Sequence, residues 1–208
     1  GSVDFNSVVN GRGIEKLIKA GTNVTVGVLE EECKNLNKRF FTFHQKKRPY
    51  IILKWAQTSD GYIDAKRNIG GAAKPLQISN TEARKLVHQW RSQEQAIMVG
   101  TSTALLDNPQ LTVREAEGKH PLRICIDKEL RIPSHFYLFD KSTHTLVFTA
   151  TEKAPELNLE FVKIDFERSV LPQILNELYA RNIQSVIVEG GEQLLNSFIK
   201  ENLWDEAR

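Results

Sequence analysis

One stretch narrows the fold class more than any other. Tyr50-Ile51-Ile52-Leu53-Lys54-Trp55-Ala56 is a nearly continuous apolar run. A strand with one wet face alternates apolar and polar residues, and this one does not, so it belongs in a sheet covered on both faces. Downstream of Ala56, strand and helix signals alternate. Strands are expected at 96–99, 122–126, 146–148, 161–164 and 185–188, and helices at 101–106, 171–180 and 193–200. Ala83, Leu86, Val87 and Trp90 repeat at i, i+3, i+4 and i+7, and Ser79 with Glu82 forms a Ser-x-x-Glu capping box before them. The expected class is α/β, three-layer, with a mostly parallel sheet.

Residues 3–48 differ in style. Gly13 to Ala20 has Ile14, Leu17 and Ile18 on one helical face, with Gly21 as a stop. Val24 to Val28 reads as a strand. Leu29, Cys33, Leu36 and Phe40 then fall at helical spacing. The segment ends in Lys46-Lys47-Arg48, read as a solvated linker rather than a nucleic-acid patch. The charge balance agrees, since 28 Lys and Arg against 26 Asp and Glu leave only +2. No apolar run is long enough to span a membrane. Cys33 and Cys125 are isolated, which excludes a zinc ribbon, a redox CxxC and a disulfide framework. Gly1-Ser2 reads as a cloning scar with no signal peptide behind it, and the expected setting is reducing and cytoplasmic.

Ligands of open α/β sheets bind outside the carboxyl ends of the strands. Three such ends carry suitable groups. Gly100-Thr101-Ser102-Thr103 leaves a strand and opens a helix, either as a phosphate site or as a plain N-cap. Val188-Glu189-Gly190-Gly191-Glu192-Gln193 lets a ligand approach the backbone or serves as a simple turn, and it is not the GxGxxG dinucleotide fingerprint. Lys54, charged amid Ile52, Leu53 and Trp55, needs a partner or a ligand unless it lies on an edge strand. Arg91 and Arg114 match phosphate geometry or are surface charges. His44, His88, His120, His135 and His144 lack metal-ligand spacing, and His88 reads as a helix-surface or boundary residue. Neither GxSxG nor GxxxxGK[ST] occurs, so a hydrolase elbow and a P-loop have no support.

Pro49 to Gly61, Val99 to Arg114 and Val188-Glu189-Gly190-Gly191 together resemble the reductase domain of the bifunctional riboflavin-biosynthesis deaminase-reductases, in order and in spacing. Asn-Pro-x-Leu-Thr-Val-Arg is the most specific element. The likeness covers roughly residues 49–208, and Gly11 to Phe43 resembles the tail of the deaminase domain, making 1–48 scar, deaminase tail and linker. The resemblance implies a dihydrofolate-reductase-like fold and NADPH-dependent reduction of 5-amino-6-(5-phosphoribosylamino)uracil to the ribitylamino compound. By position it makes Lys54 and Glu189 the polar pair at the reacting ribosyl carbon and the pyrimidine. It makes Arg91, Leu111 and Arg114 substrate contacts, with the arginines near the phosphate. Ala56, Gln77, Gly100, Thr101, Thr103, Asp107, Gly190, Gly191, Glu192, Gln193, Leu194 and Leu195 become cofactor contacts. Lys128 falls near the adenosine ribose, where it suits a 2′-phosphate.

The family's zinc-binding H-x-E and P-C-x-x-C are missing from this sequence, so neither a metal nor deamination is expected of it, and zinc would belong to a deaminase domain. Gln77 stands where relatives often have tryptophan, and the loop with Gly70-Gly71 and Lys74-Pro75 aligns poorly. Trp204 to Arg208 corresponds to the start of a strand, with further strands expected beyond it to complete the sheet and often a homodimer. Partners are expected to be the small phosphoribosyl substrate, with no nucleic acid or membrane. Two other readings stand beside the reductase: a non-catalytic cofactor-binding or assembly module, and another dihydrofolate-reductase-like pyrimidine or pterin reductase.

Overall fold

A computed structural model describes residues 11–69 and 75–208; Gly1, Ser2, Gly70, Gly71 and Lys74 lie outside the described residues. Among those described, seven strands form one sheet: β1 (Tyr50–Leu53), β2 (Ala96–Gly100), β3 (Leu122–Ile126), β4 (Thr145–Thr149), β5 (Leu159–Lys163), β6 (Ser185–Val188) and β7 (Glu206–Ala207). Their order is β5-β4-β3-β2-β6-β1-β7, and every pairing is parallel. The helices are α1 (Arg12–Lys19), α2 (Glu30–Leu36), α3 (Lys38–Lys46), α4 (Thr81–Gln93), α5 (Thr101–Asp107), α6 (Val170–Ala180) and α7 (Glu192–Lys200). No described helix is long and apolar enough to cross a membrane.

The sheet is covered on both faces, as the apolar run of β1 requires. Ile51, Leu53, Met98, Val186 and Val188 pack against Leu171, Ile174, Leu175 and Leu178 of α6 and Leu194, Leu195 and Phe198 of α7. Ile52, Ile97, Val99 and Ile187 face the other way, onto Ala104 of α5, Leu111, Ile132 and Leu138, with Trp90 of α4 at the margin. Because strand side chains alternate, the residues after Leu53 and Val188 return to this second face. Lys54 and Glu189 therefore emerge on the α4 side. Lys54 does not lie on an edge strand, since β1 is paired with both β6 and β7.

Arg123 of β3 is fully buried and hydrogen-bonded throughout. It donates to Thr145 Oγ1 (2.9 Å), to the carbonyls of Tyr137 and Thr143 (each 2.7 Å), and to Asp140 (2.9 Å). It thereby ties the 137–143 segment to the sheet, and Asn108 Oδ1 accepts from Tyr137 N–H (2.9 Å), extending that tie to the end of α5.

Several local expectations are corrected. Val24–Val28 is not a strand: Gly27 has φ +86°, Val26 and Val28 are about half exposed, and no described strand pairs with them. The helix expected from Leu29 is two helices, broken at Asn37, whose side chain donates back to the Cys33 carbonyl (2.9 Å). The cap of α4 is Asn80, one residue later than Ser79; its Oδ1 accepts from Ala83 N–H (2.9 Å). β1 ends at Leu53 rather than Ala56.

The basic cluster is only partly solvated: Lys46 and Lys47 are exposed, but Arg48 is buried. Lys46 donates to Asp205 (2.7 Å), and Arg48 grips the same carboxylate at 2.5 and 3.0 Å. Asp205 also accepts from Ile51 N–H (2.9 Å). Beside it Glu206 takes Lys38 (2.6 Å), Tyr50 (3.0 Å) and Arg208 (2.6 Å), and Arg39 forks onto buried Glu94. Helix α3 is thus held against β7 by charge pairs. Burial pushes the Asp205 and Glu206 carboxyls up, but the hydrogen bonds from Arg48 and Lys46, and from Arg208 and Lys38, outweigh it; Glu206 is held at about 2 and Asp205 below its usual range. Folded values below unfolded ones give stability that is complete above about pH 5 and lost as pH falls through the folded values. The urea midpoint is expected to fall between about pH 5 and pH 2. Asp205→Asn should start lower at neutral pH and show a shallower acid slope; parallel slopes would contradict this.

Candidate active site

The topology brings three strand ends together. β6 enters the sheet last among its central strands and lies between β1 and β2, with Leu53 and Met98 both in register with Val188. Backbone bonds continue past the strands: Lys54 N–H donates to Val188 O (2.9 Å), Glu189 N–H to Met98 O (2.9 Å), and Gly100 N–H to Gly190 O (3.0 Å). Lys54, Glu189 and Gly100 thus stand side by side at the switch point of the sheet, where ligands bind in such folds.

Glu189 is the centre of this group. Its side chain is only 8% exposed and receives a two-pronged grip from Arg91 of α4, Nε at 2.8 Å and Nη2 at 2.6 Å. Arg91 Nη1 donates to the Thr112 carbonyl (3.2 Å). Burial alone would raise the Glu189 carboxyl, but the charge of Arg91, its two hydrogen bonds and the charge of Lys54 outweigh that and hold it below its ordinary range. The carboxylate is therefore an anion at neutral pH. Each oxygen accepts one Arg91 hydrogen and retains capacity for another donor. The resemblance places Arg91 near a phosphate; here its Nε, Nη1 and Nη2 are engaged within the protein, and it orients Glu189.

The glycine turn forms the next wall. Gly190 adopts φ +109°, and the Gly190–Gly191 peptide is cis. A Cβ at Gly191 would lie 2.9 Å from Thr103 Oγ1, so the turn and α5 are in close contact. Gly191 is the N-cap of α7 and no side chain caps that helix, which leaves first-turn N–H groups of Glu192, Gln193 and Leu194 toward this end of the sheet. Leu194 and Leu195 are buried in the core, and Leu195 N–H is used by Gly191 O (3.1 Å). Their side chains serve packing; exposed Glu192 and Gln193 border the opening. Thr101 donates its hydroxyl to Ile126 O, fixing α5 to the end of β3.

The remaining positions surround this centre unevenly. Leu111 is buried with φ +54° and supports the loop that leads to Arg114. Arg114 is exposed, with Nη1 donating to Gln110 (2.8 Å) and Thr112 Oγ1 (3.2 Å). Asp107 accepts from Arg67 (2.8 Å). Ala56 is half-buried after β1 and Gln77 exposed before α4. Lys128 is exposed just past β3, its Nζ 3.8 Å from Glu167 and 5.7 Å from the Phe166 ring centre. No cluster of three potential metal-ligating side chains occurs among the described residues.

A family profile described as the RibD C-terminal domain matches residues 49–208. This chain belongs to that family. It is 40% identical over 209 residues to the riboflavin biosynthesis protein RibD of Aquifex aeolicus, covering 98% of this chain and 57% of that protein. It is also 33% identical over 175 residues to a 2,5-diamino-6-ribosylamino-4(3H)-pyrimidinone 5′-phosphate reductase of the same organism, covering 77% and 75%. Among solved structures, a diaminohydroxyphosphoribosylaminopyrimidine deaminase/5-amino-6-(5-phosphoribosylamino)uracil reductase from Thermotoga maritima superposes with a TM-score of 0.83 at 37% identity, over 97% of this chain and 55% of that one. The chain therefore spans little more than half the length of its RibD relatives. The α/β, dihydrofolate-reductase-like fold inferred from the RibD C-terminal motifs agrees with this likeness.

Sequence reasoning did not anticipate two residues of the site. His88 is buried, not at the helix surface, and its Nδ1 accepts from Arg114 N–H (3.1 Å). His120 Nδ1 accepts from Val113 N–H (3.2 Å). No local pattern announces either, because the partner of His88 comes from another segment and that of His120 from across its own irregular loop. The ion pair yields a direct test. Arg91→Leu leaves a buried carboxylate without its fork, which should lower unfolding free energy by about 3 kcal/mol and raise the Glu189 pKa, read by carbon-13 NMR titration. Arg91→Lys should recover little of either, since an ammonium lacks the fork. Unchanged Glu189 titration in Arg91→Leu would contradict the account.

Proposed function

We propose that this chain is the reductase module of a riboflavin-biosynthesis protein. Its reaction is the reduction of 5-amino-6-(5-phosphoribosylamino)uracil to the ribitylamino compound by a nicotinamide cofactor, NADPH in preference to NADH. The observation that carries the reading is the ionised Glu189 beside Lys54, at the switch point of the sheet and against the Gly190–Gly191 turn. The RibD family membership and the likeness to a separate pyrimidinone phosphate reductase support the same reading. Residues 49–208 would form the reductase domain, and 3–48 the end of a deaminase domain with its linker.

The residues present fit a dinucleotide. A Cβ would fill the close approach at Gly191, and the N-terminus of α7 beside it has no side-chain cap, so this wall suits a phosphate-bearing ligand. Buried Asp127, at the end of β3, has one oxygen bonded to Ile132 N–H (2.9 Å) and the other without a hydrogen-bond partner, and Lys128 adjoins it. Gly100, Thr101, Thr103, Asp107 and the 190–193 turn would hold the cofactor, with Ala56 and Gln77 at its margin and Lys128 at a 2′-phosphate. When bound, the nicotinamide supplies a hydride.

This chain's own residues then bind, orient and move protons. Glu189, held anionic by Arg91, accepts N–H donors of the aminouracil and fixes its plane. Lys54, the neighbouring cation, delivers or positions the proton that the sugar ring oxygen takes when the ribosylamine opens to its imine. Arg114, exposed beside the site, pairs with the substrate phosphate. Most of the acceleration comes from holding the ribosyl carbon in place.

Turnover of the phosphorylated substrate with NADPH is the decisive assay. Lys54→Met should lower kcat roughly 100-fold, whereas Arg114→Ala should raise KM roughly tenfold or more with kcat little changed. Lys128→Ala should narrow the preference for NADPH by roughly fivefold. A dephosphorylated substrate used equally well would favour a different pyrimidine reductase, and an unchanged kcat in Lys54→Met would remove the lysine from the chemistry.

A further inference from the structure

Among the described residues, the segment carrying Arg114 has no strand partner for its backbone donors. Two imidazoles take that place: Arg114 N–H donates to His88 Nδ1 (3.1 Å) and Val113 N–H to His120 Nδ1 (3.2 Å). The preceding carbonyl, Thr112 O, accepts from Arg91 Nη1 (3.2 Å). His88 and Arg91 stand three residues apart on α4, hence on one face of the helix. That face grips the 112–114 backbone with His88 and Arg91, and grips Glu189 with the fork of Arg91. The distance between Arg114 and Glu189 is thereby referred to a single rigid turn of α4.

An imidazole nitrogen accepts a hydrogen bond only when it carries no proton, so this contact requires neutral His88 with its hydrogen on Nε2. We propose that His88 is a positioning residue for substrate binding: as a neutral ring it holds the Arg114 backbone in the binding geometry, and its protonation releases the segment. The proposal rests on the reading of Arg114 as the partner of the substrate phosphate. The charged groups facing His88 are Arg91 on its own helix, Arg114 and Glu115 on the held segment, and Glu189 at the end of β6. Burial and the two arginines favour the neutral ring and outweigh the two carboxylates, so His88 titrates below the ordinary histidine range. The clamp is intact at neutral pH and is lost as pH falls below that range.

Two readouts test this. The first is amide hydrogen exchange of Arg114 by NMR, corrected for the intrinsic rate at each pH. It should be slow at neutral pH, faster in mild acid, and fast at every pH in His88→Phe. In His88→Asn, Oδ1 can replace Nδ1 as acceptor without titrating, so protection should be retained and independent of pH. The second is steady-state kinetics. His88→Phe should raise KM roughly three- to tenfold, the size of one hydrogen bond, with kcat nearly unchanged. His88→Asn should restore KM and flatten its rise in acid. Ionisation of the substrate phosphate is common to both proteins and cancels in the comparison. Unchanged Arg114 protection in His88→Phe, or the same KM profile in wild type and His88→Asn, overturns the role of His88. An Arg114 amide that is released by acid in a protein that turns over no phosphorylated substrate overturns the proposed function instead.

Discussion

A carboxylate buried at the end of a central parallel strand cannot stay ionised without a partner, and here the partner is Arg91. Removing both charges from water costs several kcal/mol per ion, and only good geometry with additional hydrogen bonds recovers it. The pair has both: Arg91 places two hydrogens on Glu189 and a third on Thr112 O. Much of the second face of the sheet serves that contact. Asn80 caps α4, Trp90 packs its far turn into the core, and the 111–114 segment folds over the arginine instead of over solvent.

Topology makes the contact possible. β1 and β2 leave a gap that β6 fills only after β3, β4 and β5 have built outward. Residues more than a hundred positions apart, Lys54 and Glu189, become neighbours for this reason, and Gly100 joins them through its bond to Gly190. Parallel strands align their carboxyl ends on one edge of the sheet, so each strand delivers its following loop to the same crevice.

Much of this was legible in the sequence, and the parts that were not have a common cause. Apolar runs place β1, β2 and β6 because burial on both faces is a local demand on composition. Gly-Gly after Val188 and the hydroxyl run after Val99 mark strand-to-helix turns for equally local reasons. Val24–Val28 looks the same locally, yet no described strand pairs with it and it stays outside the sheet. Lys46 and Arg48 read as solvent-facing because Asp205, which binds both, lies over 150 residues away. His88 reads as a helix-surface or boundary residue, and Arg91 as a surface charge or a phosphate contact, because their partners, Arg114 and Glu189, arrive from other segments. Sequence periodicity locates faces, but the identity of the group opposite is set by long-range packing.

The proposal that binds these observations is that cofactor and substrate meet at the carboxyl ends of β1, β2 and β6. Titrating isotope-labelled protein with NADPH and following every backbone amide by NMR tests it most directly. The account predicts saturable shifts concentrated at 54–56, 100–107, 127–128 and 189–195, with little change at the opposite edge of the sheet around 120–122, 143–144 and 181–183. Shifts gathered at that opposite edge, or no saturable shift at all, would contradict it.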